Sequence, residues 1–338
     1  MARKFDVDEG PPLMQTKSRP FLKRQEVRKS RPKKTPAPAI QIVKQDAFKF
    51  LPSIVAGSAD LIVSSPPYCM GKAYETSIDT SDFIEMHERL APMLVQALKE
   101  GGSLCWQVGH HVSDGVVTPL DALVYAIFSK QPNLVLRNRI IWTFAHGVHA
   151  NRRFSGRHET ILWFTKGDKY AFNLDAVRVP QKYPGKRHYK GPKKGKFSGN
   201  PLGKNPSDVW DIPNVKANHI EKVDHPCQFP VALVQRLIRA LTPSGGLVLD
   251  PFLGSGSSAV AAVVEDRRFS GCDIHNDYLK IARARIAKAK KGDKHYRPID
   301  QPIHVPSATD AVAKLPLKFR RRREGSHDNS LRSKRGRI

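Results

Sequence analysis

The hydrophobic pattern of this chain alternates between short apolar runs and longer stretches with helical spacing. Residues 60–64 form an apolar run typical of a buried strand. Across residues 82–99, apolar side chains recur every three or four positions, which predicts an amphipathic helix. Gly101 and Gly102 end that helix, and residues 103–108 have the composition of the next strand.

The same alternation continues to residue 291. It predicts helices over residues 119–128, 229–241, 258–264 and 277–291, and strands over 134–144, 158–165, 247–250 and 269–273. Strands that alternate with helices favour a mostly parallel, doubly wound α/β sheet. The two strand-like runs at 134–144 and 158–165 have no helix between them, so we expect them to form a hairpin.

Three segments interrupt this pattern, and all three are basic. Residues 1–39 hold 11 Lys and Arg against 4 Asp and Glu, residues 166–204 hold 11 against 2, and residues 279–338 hold 18 against 5. The net charge of +26 is therefore concentrated in two tails and one internal segment. A polyanionic partner accounts for this segregation, and nucleic acid is the partner that we expect. Residues 1–39 have no periodicity and predict a disordered arm.

Bulk features exclude several other classes of protein. The four cysteines are scattered, with no C-x-x-C pair, which argues against a disulfide framework and against a zinc site. No apolar run approaches the roughly 18 residues of a membrane span, and the polar, basic start does not resemble a secretory signal. We expect a cytoplasmic protein that associates with DNA.

Two short motifs carry candidate chemistry. Ser65-Pro66-Pro67-Tyr68 follows the strand at 60–64 and places a hydroxyl, two residues without an N–H and a phenol at its end. The stretch LVLDPFLGSGSSAVAA puts Asp250 at a strand end and Gly254 just before a helix, where a ligand can approach the backbone. Asp273 follows Gly254 by 19 residues, close to the spacing at which an acid reaches ribose hydroxyls. Without a phosphate-gripping G-K-[ST], an adenosine ligand that lacks phosphates fits better than ATP.

These motifs resemble the amino-group DNA methyltransferases, which use S-adenosylmethionine. S-P-P-Y at 65–68 precedes D-P-F-L-G-S-G at 250–256, and this order is similar to the beta class of the family. The likeness continues in RHETILWFTKGD, KNPSDVWDIP and HPCQFPVALVQRLI, and it covers roughly residues 40–290. The resemblance implies a Rossmann-like sheet of seven strands with one antiparallel strand, which carries a basic target-recognition insertion.

The resemblance also divides the chain. It implies a basic arm (1–39), the catalytic half of the methyltransferase domain (40–165), a target-recognition segment (166–222), the cofactor-binding half (223–291) and a basic C-terminal tail (292–338). Cofactor contacts are implied for Asp46, Phe229, Pro230, Asp250, Pro251, Phe252, Gly254, Ser255, Gly256 and Asp273. For Asp46, a helix N-cap is an equally good interpretation. DNA contacts are expected from Lys182, Lys186, Arg187, Lys190, Lys193, Lys194 and Lys196.

The catalytic role falls to Ser65, Pro66, Pro67 and Tyr68. The exocyclic amine of a base is a poor nucleophile because its lone pair is delocalised into the ring. The Ser65 hydroxyl and the Pro66 carbonyl are candidate acceptors for its hydrogens, and Tyr68 is a candidate to stack on the base after it flips out of the duplex. Direct displacement at the sulfonium methyl group then needs neither a metal nor a covalent enzyme intermediate.

The target base and the partners stay open at this point. Within the family a serine before the two prolines accompanies cytosine N4 activity more often than adenine N6 activity, so the resemblance favours cytosine in double-stranded DNA. The alternatives are adenine N6 and a non-catalytic DNA-binding protein with the same fold. A homodimer and a cognate restriction endonuclease are both compatible with the sequence.

Three residues invite a different interpretation. Pro226-Cys227-Gln228 matches the P-C-Q of cytosine ring-carbon methyltransferases, but the glycine motif follows it instead of preceding it, so we interpret Cys227 as a small buried residue. Cys69 has no evident histidine partner, and packing is its expected role. Glu159 is interpreted as structural, because it lies within a strand-like pattern.

Overall fold

The computed structural model describes residues 39–68, 80–147 and 149–303, together with residues 305, 307, 309, 310, 313 and 314. The predictions for residues 1–38, for Cys69 and for the tail around Arg320 lie outside these described residues. Ten strands are described: β1 (Ile40–Lys44), β2 (Ala59–Ser64), β3 (Leu98–Val108), β4 (His110–Ser113), β5 (Val116–Pro119), β6 (Leu134–Thr143), β7 (His158–Lys166), β8 (Val209–Asp211), β9 (Leu247–Asp250) and β10 (Arg268–Asp273). Six α-helices accompany them: α1 (Ala47–Ser53), α2 (Thr80–Ala97), α3 (Leu120–Phe128), α4 (Val231–Leu241), α5 (Ser257–Val264) and α6 (Asn276–Lys290).

Eight of the described strands form one sheet in the order β1-β10-β9-β2-β3-β7-β6-β8. All neighbouring pairs are parallel except those that involve β7, which runs antiparallel to both β3 and β6. The predicted fold class, including its single antiparallel strand, is therefore confirmed. The predicted strand count of seven is exceeded by one, because β8 adds three residues at the edge beside β6.

Helices cover both faces of this sheet. Successive residues of β2 point to opposite sides: Leu61 and Val63 join the hydrophobic cluster under α4, α5 and α6, whereas Ile62 joins the cluster under α1, α2 and α3. Because β2 is buried on both faces, it has the continuous apolar sequence typical of a central parallel strand. Among the described residues, no helix combines the length and the apolar character that crossing a membrane requires.

The predicted elements match the observed ones to within a few residues, apart from β3. That strand begins at Leu98, five residues before its predicted start, because Ala59 pairs with Leu98 across a register shift. The predicted hairpin of β6 and β7 exists, with residues 144–157 as a long connection between the strands. A second hairpin, β4 with β5, was not predicted. Asp114 and Gly115 form its turn, and both have positive φ angles, of 52° and 82°.

Candidate active site

The carboxyl ends of four parallel strands, β1, β2, β9 and β10, meet at one edge of the sheet. In open α/β sheets, ligands bind beyond these carboxyl ends. A cavity of about 370 Å³ lies there. Its size falls within the usual range of roughly 300–1,000 Å³ for small-molecule sites.

Most of the residues singled out from the sequence line this cavity. On its wall are Asp46, Ser65, Pro66, Pro67, Tyr68, Phe229, Pro251, Phe252, Gly254, Ser255 and Asp273. Three predicted cofactor residues, Pro230, Asp250 and Gly256, are buried and are absent from the cavity wall. The fold thus brings the two motifs together, although 185 residues separate Ser65 from Asp250 in the chain.

The S-P-P-Y turn forms one side of the cavity. Tyr68 is buried, and its hydroxyl accepts a hydrogen bond from the backbone N–H of Gly109, at 2.8 Å. Any side chain at position 109 would lie within about 3.3 Å of this hydroxyl, so the glycine permits the contact. Ser65 is partly buried, and within the described residues its hydroxyl has no hydrogen-bond partner. It is therefore available to a ligand.

Glu159 lies on the same wall, together with Gln107. The side-chain amide of Gln107 donates a short hydrogen bond to a Glu159 carboxylate oxygen. The antiparallel pairing of β3 with β7 places these two residues close together. The interpretation of Glu159 as structural is compatible with this bond, but its place on the cavity wall also makes it available to a substrate.

The glycine-rich turn between β9 and α5 needs glycine at two positions. Gly254 and Gly256 have φ angles of 51° and 80°, which other residues rarely adopt. A Cβ atom at Gly254 would lie 2.8 Å from Nε2 of His225, and one at Gly256 would lie 2.7 Å from Cβ of Ala282. Gly254 thus allows His225 to approach the turn, whereas Gly256 allows close packing of α5 against α6.

Asp273 ends β10 and joins this turn. Its Oδ2 accepts a hydrogen bond from the N–H of Gly254 at 2.9 Å, and its Oδ1 accepts one from the N–H of His275 at 2.8 Å. A carboxylate has about four acceptor sites, so two remain for a ligand with a pair of hydroxyls. A ribose presents such a pair, and the contact of Asp273 with a ribose stays a prediction.

Asp250 occupies a different place from the one that we expected. It is fully buried behind the turn, where it accepts hydrogen bonds from the Ser64 hydroxyl (2.6 Å), from the Ser258 hydroxyl and from the N–H of Phe252 (3.0 Å). Burial raises the pKa of Asp250 to about 6, and the negative charge of Asp273 acts in the same direction. These contacts fix the turn between β9 and α5 on the side that faces away from the cavity.

The position of Asp46 is compatible with both interpretations of this residue, a helix N-cap and a cofactor contact. Its carboxylate accepts a hydrogen bond from the N–H of Phe48 at 2.8 Å and caps α1. Asp46 also lines the cavity, together with Phe48 and with Gln45, the residue that precedes Asp46. An N-cap carboxylate keeps further lone pairs, so capping and ligand binding are compatible.

Several cavity residues were missed by the sequence reasoning. They are aromatic or polar side chains, at the end of β6, in the segment between β8 and α4, and in the first turn of α6: Trp142, Phe144, Asn214, His225 and Tyr278. His225 and Tyr278 pack edge to face, with 4.4 Å between their ring centroids. Two signals in the sequence could have found some of them: Trp142 and Phe144 end the predicted strand 134–144, and His225 begins the HPCQFP stretch.

The expectation that Cys227 is buried is wrong. Cys227 is exposed and lies on the cavity wall beside Pro226 and Gln228. The side chain of Gln228 bonds the backbone carbonyl of Glu221 at 2.8 Å, and this bond holds the segment before α4 in an irregular course that leaves Cys227 outside the core.

The predicted DNA-contacting residues lie in an irregular segment outside the central sheet. All seven are exposed, and none of them forms an ion pair with another described residue. The segment nevertheless has internal contacts. The Arg187 guanidinium lies 4.2 Å from the centre of the Phe197 ring, and the N–H of His188 bonds the carbonyl of Lys196 at 2.9 Å. Its role in DNA recognition stays a prediction.

Residues 59–284 match the family model N6_N4_Mtase, described as DNA methylase. The chain belongs to this family. The methyltransferase is 44% identical over 243 residues to the type II methyltransferase M.BglII from Bacillus subtilis, a match that covers 72% of this chain and 67% of that protein. It is also 30% identical over 250 residues to the DNA adenine methyltransferase YhdJ from Escherichia coli strain K12, which covers 72% and 82% of the two chains.

Solved structures resemble the methyltransferase over most of its length. A putative DNA modification methylase from Thermus thermophilus, complexed with S-adenosyl-L-methionine, has a TM-score of 0.54 at 25% identity and covers 75% of this chain and 96% of its own. The cytosine-N4-specific PvuII DNA methyltransferase has a TM-score of 0.59 at 18% identity, over 78% and 96%, which shows the shared fold. The methyltransferase is thus an S-adenosylmethionine-dependent enzyme that acts on an amino group in DNA.

Proposed function

We propose that this methyltransferase modifies the exocyclic N4 amine of cytosine in double-stranded DNA, at a specific site, after the base flips out of the stack. The observation that carries the proposal is the Ser65 hydroxyl. It lies on the cavity wall and is free of hydrogen bonds to other described residues. Adenine N6 is the alternative substrate.

Ser65 and Pro66 supply the acceptors that the reaction needs. Both residues line the cavity directly after β2. Acceptors on the two amine hydrogens draw the nitrogen towards tetrahedral geometry, which localises its lone pair for attack. Because Pro66 and Pro67 have no N–H, no backbone donor competes for the amine at these positions. A neutral hydroxyl can also donate to the neighbouring ring nitrogen, which a carboxylate cannot do.

Tyr68 gives the flipped base a surface on which to stack. Its ring lines the cavity, and the bond between its hydroxyl and Gly109 fixes the ring in place. Extruding a base costs a few kcal/mol of stacking and pairing, which contacts in the pocket must offset. An aromatic ring that is already held in position loses little entropy when the base arrives.

In this proposal the cofactor occupies the part of the cavity that the glycine-rich turn and Asp273 line. S-adenosylmethionine supplies its methyl group as an activated sulfonium. Asp273 offers two acceptor sites to the ribose hydroxyls, and Phe252 and Phe229 supply apolar contacts beside the glycine turn. Holding both reactants in one cavity turns a bimolecular transfer into an effectively unimolecular one.

Adenine N6 presents the same chemistry to Ser65, because its ring nitrogen N1 lies beside the amine as N3 does in cytosine. The relative from Escherichia coli is named a DNA adenine methyltransferase, which supports this alternative. Digestion of DNA from expressing cells to nucleosides, followed by mass spectrometry, distinguishes the two products. We expect N4-methylcytosine. N6-methyladenine without N4-methylcytosine would overturn the assignment to cytosine and leave the enzyme class intact.

The basic segments supply the DNA affinity in this proposal. Residues 166–222 choose the sequence, and residues 1–39 add affinity that does not depend on sequence. Deleting residues 1–39 should weaken binding to all DNA alike and reduce its salt dependence. A change in the set of methylated sites would instead contradict this division of roles.

The cellular setting is part of the proposal. The relatives named type II methyltransferases favour a restriction-modification system in the cytoplasm, with a cognate endonuclease that cuts the same unmethylated site. Plasmid DNA methylated by this enzyme should then resist that endonuclease. Light scattering at several protein concentrations tests for a homodimer.

A further inference from the structure

The connection between β6 and β7, residues 144–157, presents an aromatic side chain to solvent. Phe154 is 99% exposed, the highest value among the exposed large hydrophobic residues that the structure describes. A phenylalanine in this position gains none of the free energy of burial. Single exposed hydrophobic residues are common on protein surfaces, so its surroundings decide whether it has a role.

Hydrogen bonds hold described residues of the loop that carries Phe154. The N–H of Phe144 bonds the carbonyl of Arg157 at 3.1 Å, and the N–H of Ala150 bonds the Ser155 hydroxyl at 3.1 Å. The Asn214 side chain, on the cavity wall, donates to the carbonyl of His146 at 2.9 Å. These three hydrogen bonds therefore connect described residues of the loop to one another and to the wall of the active site.

Residues at or beside both ends of the loop line the cavity: Phe144 at its start, and Glu159 two residues beyond its end, in β7. Phe154 is five residues from Glu159. Five residues span at most about 18 Å when fully extended. The Cα atom of Phe154 therefore lies at most about 18 Å from that of Glu159 on the cavity wall.

The loop is positively charged, which favours binding of a polyanion. Residues 144–157 contain Arg152, Arg153 and Arg157 and no acidic residue. Arg152 and Arg153 are exposed, and neither forms an ion pair within the described part of the chain. Arginine binds phosphate oxygens with its planar guanidinium group, so the two residues are suited to the backbone on either side of an inserted ring.

We propose that Phe154 enters the DNA base stack beside the flipped base, while Arg152 and Arg153 hold the adjacent phosphates. The proposal rests on the base flipping of the proposed function, and it does not depend on which base is methylated. A flipped base leaves a gap in the stack, and apolar side chains inserted between base steps offset the lost stacking. Aromatic rings stack on any base, because every base has a π face.

Steady-state kinetics test the role of the ring. Sequencing of DNA methylated by the wild-type enzyme gives the target site for synthetic duplexes. We expect Phe154→Ala to lower kcat/KM on an intact duplex roughly 10-fold or more, as for loss of one stacked base, and Phe154→Trp to retain most of it. Cofactor affinity should stay unchanged. The matched control is Val55→Ala, an exposed apolar residue after α1.

A second substrate separates insertion from general binding. In a duplex with an abasic site opposite the target, the target base has no pairing partner and costs less to extrude. The defect of Phe154→Ala should therefore shrink several-fold on that duplex. An equal defect on both duplexes, or no defect on either, would overturn the proposal.

Fluorescence tests insertion without any need for catalysis. The four native tryptophans, Trp106, Trp142, Trp163 and Trp210, are all buried, so acrylamide should quench the new indole of Phe154→Trp selectively. Duplex DNA with S-adenosylhomocysteine should protect that indole from acrylamide. An indole that stays accessible in a DNA complex seen by gel shift contradicts insertion. Protection that depends on protein concentration alone would identify a contact between copies of the chain instead and would also overturn the proposal. If the wild type methylates no DNA, the proposed function fails, and this assay still decides the role of Phe154.

Discussion

Arg285 and Glu221 form a buried ion pair beneath the glycine-rich turn, with 3.3 Å between Nη2 and Oε2. Arg285 also donates to the carbonyl of Ser255 at 2.9 Å and to the Ser257 hydroxyl at 3.0 Å. Glu221 accepts from the N–H of Val231 at 3.0 Å, at the start of α4. The pair therefore connects the turn, α4 and α6. Burial lowers the pKa of Arg285 and raises the pKa of Glu221, so each charge depends on the other.

Breaking this pair from one side should destabilise the enzyme strongly. Glu221→Gln leaves the Arg285 guanidinium buried without a counterion, which typically costs about 3–5 kcal/mol. The double variant Glu221→Gln/Arg285→Met removes both charges and should be less destabilised than the sum of the two single variants. Urea unfolding of all four proteins measures this coupling. Strict additivity would show that the two residues act independently.

Asp273 should determine cofactor affinity. Asp273→Ala removes the acceptors proposed for the ribose and also leaves the N–H of Gly254 without its partner. We expect affinity for S-adenosylmethionine, measured by calorimetry, to fall roughly 10-fold or more, as for loss of a charged hydrogen-bond acceptor. Asp273→Asn keeps one acceptor and should lose less. Unchanged affinity in both variants would remove Asp273 from the site.

Two adjacent serines provide a matched pair for the catalytic role of Ser65. Ser65→Ala should lower kcat roughly 10-fold or more with little effect on cofactor binding, because the hydroxyl acts mainly in the transition state. The Ser64 hydroxyl instead bonds the buried Asp250 at 2.6 Å. Ser64→Ala should therefore lower the free energy of unfolding, with a smaller effect on kcat. If Ser64→Ala lowered kcat more than Ser65→Ala did, the catalytic hydroxyl would be that of Ser64.

Most elements of the fold could be predicted from local patterns in the sequence. The apolar run of β2 and the helical spacing of α2 predict their own boundaries, because burial on one or both faces dictates the residue types. β8 could not be found in this way, since three residues are too few for a period. Its buried Trp210 is held by a bond from its indole N–H to the carbonyl of Ser207 at 2.7 Å, a contact that no pattern predicts. The β4–β5 turn differs, because Asp114-Gly115 is a dipeptide typical of a tight hairpin turn and can be recognised in the sequence.

The candidate site also combines residues that could be predicted from the sequence with residues that could not. Ser65 and Gly254 could be predicted, because each belongs to a short contiguous motif at a strand end. Glu221 and Arg285 could not, since their pairing joins positions 64 residues apart and depends on how α6 packs under the turn. Asp250 was assigned to the cofactor because the motif does not reveal which way its side chain points.

The buried position of Asp250 leads to a prediction about pH. Its pKa rises from an ordinary value near 3.8 to about 6 on folding. Between these values the folded protein keeps a proton that the unfolded chain has released, so the Asp250 contribution to the free energy of unfolding falls as pH rises. A difference of about two pKa units corresponds to about 3 kcal/mol at most. Above about pH 6 the contribution is constant.

Asp250→Asn removes this titration and keeps the surrounding hydrogen bonds. The amide oxygen can accept from the Ser64 hydroxyl and the N–H of Phe252, and the amide nitrogen can donate to the Ser258 hydroxyl. Relative to the wild type, the variant should gain stability steadily from pH 4 to pH 6 and then keep that advantage. Its cofactor affinity should change little, because Asp250 does not line the cavity.

The comparison must use the difference between the two proteins, because His87 titrates in the same range with the opposite sign. His87 is buried between the Phe83 carbonyl and the Trp106 indole N–H, and burial lowers its pKa to about 4. Its contribution to stability is present above about pH 6.5 and is lost as pH falls towards 4, in wild type and variant alike. Thermal unfolding of both proteins at half-unit intervals from pH 4 to pH 7.5 therefore isolates Asp250. A difference in unfolding free energy that stays constant over this range would show that Asp250 is ionised throughout in the folded enzyme.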